Sequence, residues 1–297
     1  MSRMKAADFE GRAFACLLAG GCAIGFAPIF VRLSDTGPVA SAFWRVALAA
    51  PLLWAWAFWI GPRAGAATAA PGATIAMPAI LAGLIFALDL GAWHISIVWT
   101  SVANATLLAN LAPIVVTLAG WLLWRQRVTG LFLAGMAVAI GGMFVLVGPN
   151  FIAGGAALAG DVLAMVTAIF YGSYMLAIKR ARDAGAATAP LMAWSTTISA
   201  IALLPFALLF PQPMLPAGAG GWLVLLGLAL VTQVLGQGLI AYAFAHLPAS
   251  LSAVSLLIQP VVAAAAAWAL FGEAVGPAQW IGGAIVLAGI WIARKAS

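Results

Sequence analysis

Ten apolar stretches of membrane-spanning length succeed one another along the chain, each broken from the next by glycine, proline or charge. They fall near 12–33, 39–60, 76–99, 102–123, 128–147, 159–179, 189–210, 221–244, 250–270 and 276–294. An α-helix rises about 1.5 Å per residue, so roughly 20 apolar residues cross a hydrocarbon core about 30 Å thick. The joins are short, the longest being the Ala/Gly/Pro stretch from Gly61 to Ile75, and no soluble domain fits between them. Composition agrees: 65% of residues are hydrophobic and 7% charged, where a soluble domain carries about 25% charged residues. The expected fold class is an all-α integral membrane protein with ten transmembrane helices.

The first stretch follows Arg3, Lys5 and Arg12, as a secretory leader would. Its apolar run exceeds the 7–15 residues of a leader's apolar region, and it has a counterpart in the second half, so it is read as a helix. Cys16 and Cys22 lie six apart on that helix, too far for a bridge, and are read as packing residues.

Basic residues set the orientation. With a cytoplasmic N-terminus, the inner segments hold Arg3, Lys5, Arg12, Arg63, Arg125, Arg127, Lys179, Arg180, Arg182, Arg294 and Lys295, which is 11 of the 13 Lys and Arg. Arg32 falls outside and Arg45 within a helix. The positive-inside rule then predicts a multi-pass protein of the inner membrane with both termini cytoplasmic. The same scatter gives no nucleic-acid footprint, so lipid is the expected surroundings.

Displaced by 147 positions, the chain matches itself. Gly25 falls on Gly172, Pro113 on Pro260, Val115 on Val262, Trp121 on Trp268, Leu123 on Leu270, Val128 on Val275, Gly135 on Gly282 and Gly142 on Gly289. Each half, 1–147 and 148–297, holds five helices. An odd number reverses direction, so the two five-helix repeats are expected to be inverted in the membrane. Inverted repeats of this kind are characteristic of secondary transporters, whose substrate site lies near the midplane between the halves.

These residues carry a resemblance. Pro260, Glu273, Gly282 and Gly289, with Pro113, Gly135 and Gly142 in the first half and the segment TSVANATLLANLAP from Thr100 to Pro113, resemble the drug/metabolite transporter superfamily in its ten-helix form with two EamA-type domains. The bacterial amino-acid exporters of the YddG type look most similar. The resemblance implies export of amino acids, other metabolites or drugs. Gln126 stands where the second half has Glu273, so a role of that Glu at the helix-pair turn would not be repeated.

Polar residues inside the spans mark the candidate site, because a charge at a helix centre costs about 2.5–3.5 kcal/mol on insertion scales. Asp89 lies about 12 residues into the third helix, near midplane, and Arg45 at a similar depth in the second. Asp89 is read as the binder of a substrate ammonium or a coupling proton, or alternatively as the partner of Arg45 in a structural ion pair. Asp89, Trp93, Ser96 and Thr100 follow steps of four, three and four and form one stripe. His94 lies off it, a packed residue or a proton shuttle.

Thr106, Asn110, Pro113 and Thr117 make a second stripe on helix four; Gln233 and Gln237 lie on helix eight, and Ser252, Ser255 and Gln259 on helix nine. Interhelical hydrogen bonding explains any one of them; jointly they predict a cavity lined by both halves. Tyr171 and Tyr174 share a face of helix six and offer aromatic walls. Pro113 and Pro260 each remove a helix hydrogen bond and are candidate hinges or packing kinks.

The expected function is that of a secondary transporter exporting small metabolites, amino acids first, by alternating access. The alternatives are an exporter of multiple drugs and cationic compounds, a channel, or a membrane-embedded enzyme, which would need clustered His, Asp or Glu. The chain carries no P-loop motif. Its expected partners are a small-molecule substrate, the bilayer and, as a candidate coupling ion, the proton; no metal or cofactor is implied, and oligomeric state stays open.

Overall fold

The structure, a computed structural model, describes residues 3–60, 73–100, 102–148, 157–272 and 276–296. Its described residues form helices and no strand. We number ten long segments: α1 (Phe9–Leu33), α2 (Pro38–Ile60), α3 (Met77–Trp99), α4 (Asn104–Trp124), α5 (Gly130–Val147), α6 (Leu158–Asp183), α7 (Thr188–Leu209), α8 (Ala219–Ala243), α9 (Ala249–Phe271) and α10 (Pro277–Lys295). Among the described residues, α1–α9 are long and apolar enough to cross a membrane. α10 has 19 residues, and Pro277, Gln279, Arg294 and Lys295 at its ends dilute an apolar middle. It packs along α5 for most of its length, which sets it at the depth of a spanning helix. Glu273 lies outside the described residues.

Large apolar side chains cover the periphery, among them Trp59 at 91% and Leu209 at 81% exposure. Such a surface is untenable as a contiguous patch in water and is ordinary in hydrocarbon, where the backbone satisfies itself within each helix.

Three helices are broken, each just before a proline. α1 is interrupted between Gly25 and Ala27, α4 between Ala109 and Ala112, and α9 between Ser255 and Ile258. Pro28, Pro113 and Pro260 fall in the first turn of each second piece, where a missing N–H costs nothing. The backbone tightens at the breaks to bonds three residues apart, Leu111 N–H to the Leu108 carbonyl (3.1 Å) and Leu257 N–H to that of Val254 (3.1 Å). α4 and α9 then end alike. Arg125 (φ 53°) and Gly272 (φ 65°), 147 positions apart, both take the left-handed conformation that closes a helix.

The glycine matches acquire a structural meaning in α5 and α10. A Cβ on Gly135 would lie 2.6 Å from the Ala293 nitrogen and 2.9 Å from the Gly289 oxygen; one on Gly282 would lie 2.3 Å from the Leu146 nitrogen and 2.8 Å from the Gly142 oxygen. Moving both partners by 147 and exchanging them turns the first contact into the second. Gly25 and Gly172 obey the same rule, the first against Val262 and the Gln259 carbonyl, the second against Val115 and the Ala112 carbonyl. Positions rising along α5 meet positions falling along α10, so the two repeat-equivalent helices run antiparallel.

Loop contacts close one end of the bundle. Gly37 N–H donates to the Pro213 carbonyl (2.9 Å), Trp44 Nε1 to the Met214 carbonyl (2.8 Å) and Ala217 N–H to Asp35 Oδ2 (2.8 Å). The α1–α2 and α7–α8 turns therefore share a face.

Candidate functional site

A cavity lies at the middle of the bundle, where the broken part of α1 faces α3, α4 and α6. It is lined from α1 by Ile24, Gly25, Ala27 and Pro28, from α2 by Arg45, and from α3 by Phe86, Asp89, Leu90 and Trp93. Thr106, Ala109 and Asn110 of α4, Thr167 and Tyr171 of α6, Gln237 of α8, and Gln259 and Ala263 of α9 complete it. Its wall thus draws on both sequence halves. The α3 members recur at three, four and seven residues, one face of a helix.

Asp89 and Arg45 are the charged groups of that wall, 6% and 3% exposed. They do not meet: no contact within 4.0 Å joins them. The direct ion pair weighed from the sequence is not formed, and the Arg45 side chain is held instead through one nitrogen. Its Nε donates to Gln233 Oε1 at 3.2 Å, and Gln233 Nε2 in turn donates to Thr196 Oγ1 at 3.1 Å. Its central carbon lies 5.8 Å from the centre of the Phe86 ring. Neither Asp89 oxygen accepts a hydrogen bond from a described residue. A carboxyl group and a guanidinium therefore look into one low-dielectric space without touching, an arrangement suited to a ligand that carries a partner for each.

Aromatic rings form one wall. Phe86 stacks on Tyr174 with centroids 4.4 Å apart, and Tyr174 on Tyr171 at 6.4 Å. Tyr171 reaches the cavity with its hydroxyl, which accepts from Gln259 Nε2 at 3.4 Å. Asn110 spends its amide on the Thr106 carbonyl (2.8 Å), spanning the break in α4. The Thr106 hydroxyl is buried without a hydrogen-bond partner.

The sequence-derived residues separate accordingly. Asp89, Trp93, Asn110, Tyr171, Gln237, Gln259 and Arg45 line the cavity. Ser96, Tyr174, Gln233 and His94 do not. Ser96 turns its hydroxyl back to the Trp93 carbonyl (2.7 Å), because α3 packs that side against its neighbours. Tyr174 is the layer beneath Phe86, and Gln233 acts on Arg45. His94 is fully buried, its Nδ1 2.7 Å from the Leu90 carbonyl and its Nε2 without a partner. Thr100, at the end of the same stripe, instead donates to Asp161 Oδ1 at 2.7 Å, which Asn104 also contacts at 3.0 Å. Pro113 and Pro260 sit at the helix breaks beside the cavity.

Two features escaped the sequence reading. One is the α1 wall, whose signal was available in Gly25 and Pro28, a glycine and a proline inside one span. The other is a π-helical stretch, Leu228–Gln237, in the middle of α8. Such wide turns occur often at functional sites, and this one carries both Gln233 and Gln237. No sequence signal announced it.

Lipid-facing helices around a cavity lined by both halves define a multi-pass membrane transporter of a small-molecule substrate, not an enzyme. The chain belongs to the EamA-like transporter family, whose model matches residues 12–148 and again 158–294. Among curated proteins it is 30% identical over 217 residues to a probable terminal-alkyne amino-acid exporter of Streptantibioticus cattleyicolor, covering 70% of this chain and 71% of that one. It is 27% identical over 276 residues to an uncharacterized transporter of Archaeoglobus fulgidus, covering 89% and 91%. A known crystal structure superposes with a TM-score of 0.80 at 17% identity, over 96% of this chain and 98% of the other, which shows the shared fold.

Proposed function

We propose that this protein is a secondary transporter that exports small metabolites, amino acids first, across the inner membrane by alternating access. The halves 1–147 and 148–297 are inverted repeats that rock about the cavity, with Pro113 and Pro260 at the flexible breaks and both termini cytoplasmic. The antiparallel run of α5 and α10 and the exchange of contacts under a shift of 147 support the inversion. The placement of Lys and Arg supports the orientation, and the relative named as an amino-acid exporter supports the substrate class.

One observation carries the reading: a carboxylate and a guanidinium face the same small cavity from different helices without touching. A purely cationic drug suits Asp89 and the aromatic wall but is repelled by Arg45, so the cationic-compound exporter is the weaker alternative. Asp89, Trp93, Asn110, Tyr171, Gln237 and Gln259 are the proposed substrate contacts. Asp89 is also the proposed site of any coupling proton, with His94 behind it.

Uptake of labelled amino acids into proteoliposomes, with and without a pH gradient, tests this. Wild type is expected to move at least one neutral amino acid. A cationic dye that moves while every amino acid stays put would favour the drug exporter. Acceleration by the gradient that disappears in Asp89→Asn would assign proton coupling to that residue.

A further inference from the structure

We propose that the cavity reads the zwitterionic head of an α-amino acid, Arg45 receiving its carboxylate and Asp89 its ammonium. This rests on the amino-acid reading above and adds the element that separates an amino acid from an amine or an acid.

The geometry carries it in three ways. First, the two groups flank one ring and leave a gap. Asp89 lies one helical turn from Phe86 on the cavity face of α3, and the Arg45 guanidinium lies over that same ring, 5.8 Å from its centre. The two groups therefore neighbour the same ring without a contact inside 4.0 Å. Standard bond lengths put the nitrogen and carboxylate oxygens of an amino acid about 3 Å apart. With hydrogen bonds of about 2.8 Å on either side, one such head spans about 8 Å between its two partners.

Second, Arg45 is aimed. Gln233 takes its Nε and is itself anchored by Thr196, which leaves the two terminal nitrogens, the fork suited to a carboxylate, for the cavity. Gln233 and Thr196 are thus positioning residues.

Third, complementarity selects the ligand. A zwitterion meets both groups at once, whereas an amine leaves the Arg45 fork without an acceptor and an acid leaves Asp89 without a donor. The unpartnered Thr106 hydroxyl offers a further contact to the head group. The apolar remainder of the substrate meets Phe86, Trp93 and Tyr171.

The test uses the full chain in proteoliposomes and three probes: leucine, 3-methylbutylamine, which lacks its carboxylate, and 4-methylpentanoate, which lacks its amine. If wild type moves another amino acid faster, that amino acid and its two analogues replace them. Wild type is expected to prefer the amino acid at least about tenfold over either analogue, since a site built to bond a group rejects ligands that lack it. Arg45→Gln is expected to lower amino-acid kcat/KM about tenfold while sparing the amine, so that the preference collapses. Arg45→Lys is expected to recover part of it. Gln233→Leu is expected to raise the KM for the amino acid about threefold and leave that for the amine unchanged, which a merely structural role would not do.

Equal handling of amino acid and amine by wild type would overturn the inference without any variant. So would an unchanged preference in Arg45→Gln of normal monodispersity. Flux of a cationic dye with no flux of any amino acid would overturn the amino-acid reading and this inference together.

Discussion

The seam between α5 and α10 and the cavity wall are built from the same two repeats, yet they treat the repeat oppositely. Along the seam, position by position, the halves agree: Gly135 and Gly282, Gly142 and Gly289, each pressed on the partner's backbone in the same way. Around the cavity they diverge. Asp89 is matched by Gly236, Arg45 by Met192, Thr106 by Ala253, Tyr171 by Ile24, Gln237 by Leu90, Gln233 by Phe86 and Gln259 by Ala112. Backbone contact tolerates no variation in side-chain volume, so the duplicated scaffold is kept in both copies. Binding one small molecule needs one set of groups, and here the first half supplies Asp89 and Arg45 while the second supplies the glutamines.

The seam is the place where that comparison breaks most sharply. Ala in place of Gly135 or Gly282 forces a methyl group to within 2.6 or 2.3 Å of backbone nitrogen, and overpacking of this kind costs about 1–3 kcal/mol or more. Both variants are expected to lower the thermal midpoint in detergent by a similar, large amount. Gly141→Ala, on α5 with nothing within 4 Å of the new atom, is expected to hold or raise it. Unequal losses at Gly135 and Gly282 would show that the seam is not symmetric.

At the cavity the expectation reverses, because no variant has a counterpart. Asp89→Asn is expected to cut flux at least about tenfold with little change in thermal midpoint, measured on the same preparations. The breaks in α4 and α9 should rank next. Pro113→Ala and Pro260→Ala each restore a backbone N–H and are expected to slow the maximal rate severalfold while leaving substrate affinity near wild type, as gating variants do. An effect confined to one of them would mark that half as the moving one.

The smallest effect belongs to His246, in the α8–α9 turn between the Phe9 and Tyr242 rings at 4.6 and 5.0 Å. Burial, then the nearby Arg182 and Lys179, lower its pKa from the ordinary 6.5. The unfolded chain therefore binds the proton first, so the stability His246 contributes is complete above about pH 6.5 and lost as pH falls below it. His246→Gln is expected to flatten a shallow drop in thermal midpoint between pH 7 and 5.

Much of this was legible beforehand. Apolar length alone located the helices to within a few residues, and the Pro and Gly matches pointed to the two repeats. Asp89 was conspicuous because an ionisable group at midplane is costly. The stripe containing Asp89 was legible only in part: Trp93 reaches the cavity, whereas Ser96, equally well placed on a helical wheel, bonds back to its own helix. Gln233 and Gln237 looked like one pair, but one holds Arg45 and the other lines the cavity. Thr196, which anchors Gln233, gave no sign at all among the serines and threonines of α7.

The sequence by itself determined that this chain lives in lipid, crosses it with helices and carries two related halves, because hydrophobic length and residue size act locally and repeat visibly. Only the tertiary structure decided which polar groups meet. Most polar side chains in a membrane find a partner, and helical periodicity fixes a side chain's face within one helix but not the rotation of that helix against its neighbours. That rotation parted Arg45 from Asp89, gave it to Gln233, and left the space between them open.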